Sequence, residues 1–243
     1  MEIIMNSIKI YHEDTYRFSD ESVILMAGRD ERGEFIVLDR TIFYPGGGGQ
    51  PCDQGYFSVE GLEIPIKSVR LCEDQIRHYT DNECHHLTGK KVSLHIDVDK
   101  RLLHAKLHTA GHLISHIVEE NYSGYKAIKG HHFPGECYVE FASNNTGSKE
   151  LDLNALNSKI QVVLCENQSV EITHINSQDL AVFCPDLPYT IPHVEQLRLI
   201  KLGRWGYQPC GGTHVKALSE LNGLCIEKQK LKNNLKLYYS ILA

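Results

Sequence analysis

Short segments in which apolar and polar residues alternate dominate the first 95 residues. Residues 62–66 and 92–96 alternate with a period of two, and residues 23–26 and 35–38 are apolar runs bounded by turn residues. A period of two places alternate side chains on one face of a strand. Turn signals such as Gly33 and Gly61 separate these segments. The pattern predicts a β-rich domain over residues 1–95, either a small barrel or a sandwich-like unit.

The apolar period changes after residue 96. Apolar residues recur every three to four positions over residues 102–118 and 151–167, which predicts two amphipathic helices. Asp97 or Asp99 can cap the first helix. Strands are predicted near residues 138–141, 170–175, 197–202, 224–226 and 237–239. The predicted apolar positions of the first helix are Leu102, Leu103, Leu107, Ala110, Leu113, Ile114, Ile117 and Val118. Residues 96–243 are therefore predicted to form an α+β domain, and the whole chain is α+β.

The composition is that of an ordinary globular chain. It has 243 residues, of which 42% are hydrophobic and 23% charged, and no apolar run approaches the roughly 18 residues of a membrane span. The N-terminus lacks the features of a signal peptide, so we expect a cytoplasmic protein without a membrane partner. The eight cysteines are then expected to be free thiols, Cys210 a metal ligand and the others small buried apolar residues.

Net charge argues against a general nucleic-acid coat protein, because it is -6 at pH 7. It leaves room for a local basic face. Lysines cluster near the C-terminus at Lys228, Lys230, Lys232 and Lys236. A solvated strand edge and a basic binding face both explain that cluster.

A stripe of imidazoles lies along the first predicted helix. Histidines recur at i, i+4 spacing at positions 104, 108, 112 and 116. The residues between His108 and His112 are small, and Gly111 lowers helix stability unless close approach is needed. These neighbours favour His108 and His112 as metal ligands, and we expect His104 and His116 to be structural.

A second pair of possible ligands, Cys210 and His214, is also spaced four residues apart. The two glycines between them allow the backbone to turn tightly. Three imidazoles and one thiolate suit Zn²⁺. A metalloprotease would carry glutamate after the first helical histidine, where this chain has Thr109. The spacing leaves open whether the ion is structural or catalytic.

Four consecutive glycines, at positions 46 to 49, are followed by Gln50. The segment lacks the Gly-Lys-Ser/Thr ending of a phosphate-binding loop. A mobile linker and a loop that recognises a small polar group both remain open.

The order of these motifs resembles the editing domain of alanyl-tRNA synthetase, and in particular the free-standing AlaX family. The segments at residues 38–45, 129–134 and 138–141 also resemble the family, as does Arg101, seven residues before His108. The resemblance covers most of the chain. It implies a β-barrel-like N-terminal domain and an α+β domain shared with threonyl-tRNA synthetase. Given the length, we expect no synthetase catalytic core.

The resemblance implies a trans-editing hydrolase that removes a wrong amino acid, chiefly serine and sometimes glycine, from tRNA(Ala). It implies that zinc is held by His108, His112, Cys210 and His214. Gln50 and the loop that includes Gly47, Gly48 and Gly49 would border the amino-acid pocket. The candidates for recognising a serine hydroxyl are Gln50, Thr41 and Thr109. For Thr41, a structural hydroxyl is the alternative.

Contacts with tRNA are predicted for Arg101, Lys106 and Lys129, whose charges can meet phosphates. For each residue alone, a solvated surface charge is the alternative. His131 and His132 are candidates for tRNA or substrate contacts or for structural roles. Whether zinc activates water or positions the substrate stays open, as does the oligomeric state. The alternative function is a non-catalytic, zinc-stabilised tRNA-binding module.

Overall fold

The computed structural model describes residues 7–143, 149–185, 187, 191 and 194–242, and these form a sheet-rich mixed α/β protein with three helices. The strands are β1 (Ile8–Lys9), β2 (Ser19–Asp30), β3 (Gly33–Leu38), β4 (Arg40–Thr41), β5 (Gly55–Val59), β6 (Leu62–Ile66), β7 (Ser68–Cys72), β8 (Gln75–Thr80), β9 (Lys91–Ile96), β10 (Tyr125–His131), β11 (Tyr138–Ser143), β12 (Val170–Asn176), β13 (Gln196–Leu202), β14 (Gln208–Pro209), β15 (Leu224–Leu231) and β16 (Leu235–Ile241). The helices are α1 (Val98–Asn121), α2 (Leu153–Cys165) and α3 (Leu180–Phe183). The predicted mixture of sheets and helices is confirmed.

The chain divides into two compact units, Met1–Leu103 and His104–Ala243. Each unit has an apolar core of its own, the first around Phe57 and Leu94 and the second around Leu113 and Phe141. That residues 1–95 and 96–243 act as two separate domains stays a prediction.

The first unit is built on a seven-stranded antiparallel sheet with the order β6-β5-β9-β2-β3-β8-β7, and β1 pairs with β4 in parallel. Pro65 lies in the edge strand β6, where its missing N–H removes no pairing from a central strand. Within the described residues no pairing joins β6 to β7. The barrel-like closure of this sheet therefore stays a prediction.

The second unit contains two antiparallel sheets, of order β10-β11-β16-β15 and β12-β13-β14. Alternate residues of the four-stranded sheet, such as Val139 and Leu237, are buried in the core that also contains Leu113 and Ile117 of α1. The outward residues of the same strands are half-buried or exposed. The sheet thus presents one face to the core and one to solvent.

Helix α1 begins where the sequence predicts. The Asp97 carboxylate accepts a hydrogen bond from the backbone N–H of Lys100 at 3.1 Å, which caps the first turn. Asp152 caps α2 in the same way. Leu103 was predicted to lie on the buried apolar face of α1, and this prediction is wrong because Leu103 is 37% exposed.

All eight cysteines are free thiols, as predicted. Cys84, Cys137 and Cys184 are buried, but Cys165 is exposed, so its predicted burial is wrong. Within the described residues, no helix has the length and apolar character that a bilayer crossing requires.

Candidate metal centre

Four ligand-type side chains of the second unit converge on one point: His108, His112, Cys210 and His214. Two of them lie one turn apart on α1, and the other two follow the short strand β14. One nitrogen or sulfur atom from each residue lies within 4.8 Å of the corresponding atoms of the others. The fold thus brings together two pairs of residues that are far apart in the sequence.

The spacing of these atoms fits a tetrahedral ion. Nε2 of His108 is 3.2 Å from Nε2 of His112 and 3.6 Å from Sγ of Cys210. Nε2 of His214 is 3.2 Å from the same sulfur. Tetrahedral Zn²⁺ would separate two nitrogens by about 3.3 Å and a nitrogen from a sulfur by about 3.6 Å. The donor set and its spacing therefore fit zinc.

Thr109 orients one of the four residues. Its hydroxyl donates a hydrogen bond to the carbonyl of Ala105 at 2.8 Å and lies 3.0 Å from Nδ1 of His214. The backbone N–H of Val215 also donates to this hydroxyl, at 3.2 Å. Because a hydroxyl has only one hydrogen, it accepts from Nδ1–H of His214. Nε2 of His214 is then left with its lone pair, as a metal ligand requires.

Burial holds the cluster's imidazoles in the neutral form. It lowers the pKa of His108 and of His214 well below the ordinary value, and neighbouring positive charges act in the same direction. The pKa of His112 falls to about 4, chiefly through burial. Burial raises the pKa of the Cys210 thiol, and the positive charge of Arg198 opposes that rise. Neutral imidazoles are the form that binds a metal.

Arg198 fixes the backbone around Cys210. This buried residue lies on β13, and its Nη1 donates to the carbonyl of Cys210 at 2.6 Å and to that of Gly212 at 2.9 Å. The N–H of Gly212 donates to the Cys210 sulfur at 3.5 Å. One guanidinium thus holds the turn that carries two of the four ligand-type residues.

A fourth imidazole, that of His132, stacks on His108 with ring centroids 4.9 Å apart. Its Nδ1 lies 2.6 Å from the hydroxyl of Tyr239, which donates to the carbonyl of Leu107 at 2.9 Å. That hydroxyl therefore accepts from Nδ1–H of His132. Burial lowers the pKa of His132 to about 3. Tyr239 thus orients a neutral imidazole against the cluster.

Neither His104 nor His116 belongs to the group of four. His116 accepts a hydrogen bond from the side-chain amide of Gln208 at 2.9 Å and stacks on Trp205. His104 is buried on the same helix. These surroundings support the structural roles predicted for both.

The glycine segment, in the first unit, is a closed turn. Gly47 and Gln50 exchange backbone hydrogen bonds of 3.1 and 2.8 Å, and the Tyr44 hydroxyl donates to the carbonyl of Gly47. Gly46 has a φ of 74°, and a Cβ atom there would lie 3.2 Å from the backbone nitrogen of Cys52. Gln50 is buried. This geometry favours the loop interpretation over the linker.

Thr41 is fully buried, and its hydroxyl is engaged. It lies 2.8 Å from Nε2 of His78, whose Nδ1 is 3.0 Å from the carbonyl of Ile36. His78 must donate to that carbonyl, so the Thr41 hydroxyl donates to Nε2. It also accepts from the N–H of Phe43. These bonds support a structural role for the Thr41 hydroxyl. Contact between Thr41 and the substrate stays a prediction.

Arg101 is not available to a phosphate, and that prediction is wrong. Its side chain is fully buried and donates to both oxygens of Asp53 and to the carbonyls of Thr15 and Ile42. A buried guanidinium needs such a carboxylate partner. Lys106 is half-buried and Lys129 is exposed, and their contacts with tRNA stay predictions.

Sequence reasoning missed Asp53, Arg198 and Tyr239. The Arg101–Asp53 pair spans 48 residues, and Arg198 lies within an apolar strand. A charged residue inside a buried strand pattern is a signal that could have singled out Arg198. Nothing local distinguishes Tyr239 from other strand tyrosines.

Fold and site together define a mixed α/β protein with a cluster of three histidines and one cysteine. The family model "tRNA synthetases class II (A)" matches residues 12–100. The chain is 29% identical to the alanyl-tRNA editing protein AlaX-M of Methanosarcina barkeri, covering 96% of this chain and 98% of the relative. It is 28% identical to AlaX-L of Pyrococcus horikoshii, covering 88% of this chain and 52% of that protein.

The chain is therefore similar along most of its length to the AlaX alanyl-tRNA editing proteins, as its motifs predict. It is also 25% identical to the alanine–tRNA ligase of Metallosphaera sedula, over 90% of this chain but only 24% of the ligase.

Proposed function

We propose that this protein is a trans-editing hydrolase that cleaves the ester bond between a wrong amino acid, chiefly serine, and tRNA(Ala). The observation that carries the proposal is the convergence of His108, His112, Cys210 and His214 in a chain similar along nearly its whole length to an alanyl-tRNA editing protein. Glycine is the second candidate amino acid. Because the substrate is a tRNA, we infer that the protein acts in the cytoplasm.

The four residues would hold Zn²⁺, which suits three imidazoles and a thiolate. When bound, such an ion supplies positive charge that can polarise a carbonyl or hold an amino group. Residues of the chain itself position the four ligand-type side chains. Thr109 keeps Nε2 of His214 deprotonated, and Arg198 holds the turn that carries Cys210.

Burial of the cluster limits competing water. His108 and His214 are each 2% exposed, whereas His112 and Cys210 are half-buried. Access to the four residues is therefore greatest from the side of His112 and Cys210. We propose that the substrate's ester approaches from that side, where interactions with a developing charge are stronger than in water.

Selection of serine over alanine requires a partner for one hydroxyl. A site built to hydrogen-bond that hydroxyl favours it strongly, because the partner is otherwise left unpaired. Gln50 is the candidate that we propose for this role. Replacing Gln50 with alanine should lower the ratio of serine to alanine release more than it lowers stability. An unchanged ratio would remove Gln50 from the recognition site.

Ligand replacement tests the proposal. Cys210→Ala should lose stoichiometric zinc and release serine from Ser-tRNA(Ala) no faster than the spontaneous rate. Cys225→Ala is the matched control, since Cys225 is a half-buried thiol outside the cluster, and it should keep both properties. Stoichiometric zinc retained in both Cys210→Ala and His108→Ala would show that the ligands are wrong.

The alternative function is a non-catalytic zinc-stabilised tRNA-binding module. It predicts zinc and tRNA binding in the wild-type protein with no release of amino acid. A zinc hydrolase of small esters instead predicts activity on a free serine ester that tRNA does not improve. The same deacylation assay, run with both substrates, separates the three functions.

A further inference from the structure

The outward face of the four-stranded sheet β10-β11-β16-β15 carries an ordered row of side chains. Strand register places His131 opposite Tyr138, Tyr138 opposite Tyr238 and Tyr238 opposite Lys228. The next row joins Lys129, Glu140, Lys236 and Lys230. One row is thus mainly aromatic and the other mainly lysine, and we refer to the two together as the aromatic–lysine face.

The aromatic rings form a stacked column. The His131 ring lies 4.5 Å from the Phe133 ring at an interplanar angle of 12°, and 5.3 Å from the Tyr138 ring at 28°. The Tyr238 ring follows at 5.7 Å from the Tyr138 ring but is tilted by 50°, so the stack itself consists of Phe133, His131 and Tyr138. Phe133 ends the column and is 40% exposed. An exposed phenylalanine at the end of a stack offers a flat surface to one more ring.

Lysines border this column. Nζ of Lys236 lies 4.3 Å from the Tyr138 centroid, and Nζ of Lys228 lies 5.0 Å from the Tyr238 centroid. Lys129 and Lys230 are exposed. In a chain of net charge -6, such a group of lysines is a local reversal of sign.

Three acidic residues lie near the lysines, and each has a partner. Glu140 pairs with Lys236 at 3.2 Å, and Glu136 pairs with His131 at 3.5 Å. Glu227 accepts a hydrogen bond from the hydroxyl of Ser240. A hydroxyl partner leaves the charge of Glu227 in place, and a histidine partner does so for Glu136 unless it is protonated. The three lysines outside the Glu140 pair, Lys129, Lys228 and Lys230, therefore exceed these two carboxylates by one charge.

We propose that the aromatic–lysine face binds a single-stranded segment of RNA; this rests on the proposed function, in which the segment is the unpaired 3′ end of the tRNA. Flat rings stack on bases irrespective of sequence, and lysines meet the phosphates between them. A surface cation–π contact is weaker than base stacking. Lys228 can therefore leave the Tyr238 ring for a phosphate, whereas Lys236 is held by Glu140.

Two chemical features favour this occupant over others. An acidic protein surface would use the lysines but has no need of a stacked column. Duplex RNA buries its bases, so it could reach the lysines but not stack on Phe133. Only unpaired bases on a phosphate backbone use both rows of the face.

Fluorescence anisotropy with a short labelled single-stranded RNA ending in ACCA tests the proposal. Phe133→Leu should weaken binding by about 5- to 150-fold, the range expected when one base no longer stacks. Phe183→Leu is the matched control, because Phe183 is 37% exposed and packs edge-on against Tyr207, and it should change affinity little. Thermal unfolding checks that both variants fold.

A charge variant keeps the test decisive if Phe133→Leu fails to fold. Affinity falls with salt, so a plot of log affinity against log salt has a negative slope. The double variant Lys228→Gln, Lys230→Gln should make that slope less steep by about 1.4, or about 0.7 for each phosphate that is no longer neutralised. Lys149→Gln combined with Lys159→Gln changes the net charge equally at exposed positions and should leave the slope unchanged. Equal slopes in both double variants, or unchanged affinity in a folded Phe133→Leu, would overturn the proposal.

The outcomes for this face and for the proposed function are separable. Wild-type protein that binds the oligonucleotide through this face but never releases serine would end the editing proposal alone. Wild-type protein that releases serine, with a KM unmoved in the Phe133 and lysine variants, would end the RNA-face proposal alone. Equal binding of an RNA duplex of the same sequence would also overturn it.

Discussion

The imidazole of His132 occupies the space next to Gly111 that a side chain there would need. A Cβ atom built on Gly111 would lie 2.7 Å from Nδ1 of His132 and 3.1 Å from the hydroxyl of Tyr239. A Cβ atom built on Gly130, in β10, would also collide with the His132 ring. A glycine in the middle of α1 thus lets His132 reach the ring of His108.

Gly111→Ala should therefore destabilise the protein, although alanine normally favours a helix by about 0.5–1 kcal/mol. Overpacking of this kind costs about 1–3 kcal/mol, measured as the free energy of unfolding in urea. The double variant with His132→Ala removes the obstructing ring, so alanine at position 111 should then be tolerated. An equal loss in both backgrounds would mean that His132 is not the obstacle.

Thr109→Val should weaken zinc binding while the protein stays folded. The change removes the acceptor of Nδ1–H of His214, and loss of such a partner lowers metal affinity by about 10- to 100-fold. Competition with a chromophoric chelator measures the affinity. Thr109→Ser restores the hydroxyl and should recover most of it. Wild-type affinity in Thr109→Val would show that the hydrogen bond does not orient the ligand.

Asp53→Ala should cost about 3–5 kcal/mol of unfolding free energy, because it leaves the guanidinium of Arg101 buried without its carboxylate. Glu60→Ala removes a carboxylate that is 64% exposed and pairs with Lys90, so it should cost less than about 1 kcal/mol. Chemical denaturation of both variants provides the comparison. Similar losses would mean that burial of the Arg101 pair is unimportant to stability.

His78 should make stability fall as pH decreases. Burial lowers its pKa to about 4, below the ordinary value of 6.5, so the unfolded chain binds the proton first. This contribution is complete above the unfolded pKa and is lost as pH falls towards the folded one. From about pH 7 to about pH 5 the loss is about 2 kcal/mol.

His78→Gln should reduce the loss of unfolding free energy over that interval by this amount, measured by urea denaturation at both pH values. His86→Gln, at an exposed histidine of the same unit, is the matched control. If the two variants lose the same amount of stability, His78 is not the source of the pH dependence.

Local patterns in the sequence predicted the elements with clear periodicity. The first predicted helix is α1 with its Asp97 cap, and the predicted strand near residues 197–202 is β13. β7 and β8 were missed because their mixed polar residues, such as Arg70 and Arg77, hide the alternation. Burial depends on neighbours distant in sequence, which a local pattern does not contain.

The candidate site, too, has residues that the sequence singled out and residues whose roles only the structure reveals. Residue type and i, i+4 spacing singled out His108 and Cys210, because metal ligation restricts both. The roles of Thr109 and Arg198 depend on hydrogen bonds across 105 and 12 residues, which no local motif encodes. The role of Arg101 was predicted wrongly because a positive charge in the sequence does not reveal whether a buried carboxylate neutralises it.

Deacylation of Ser-tRNA(Ala) and Ala-tRNA(Ala) by the wild-type protein, with zinc bound, after its removal and after its return, tests the central claim most directly. We expect release of serine with zinc bound, loss of that release on removal, recovery on return, and Ala-tRNA(Ala) spared throughout. Release of serine at only the spontaneous rate by protein with stoichiometric zinc would contradict the account.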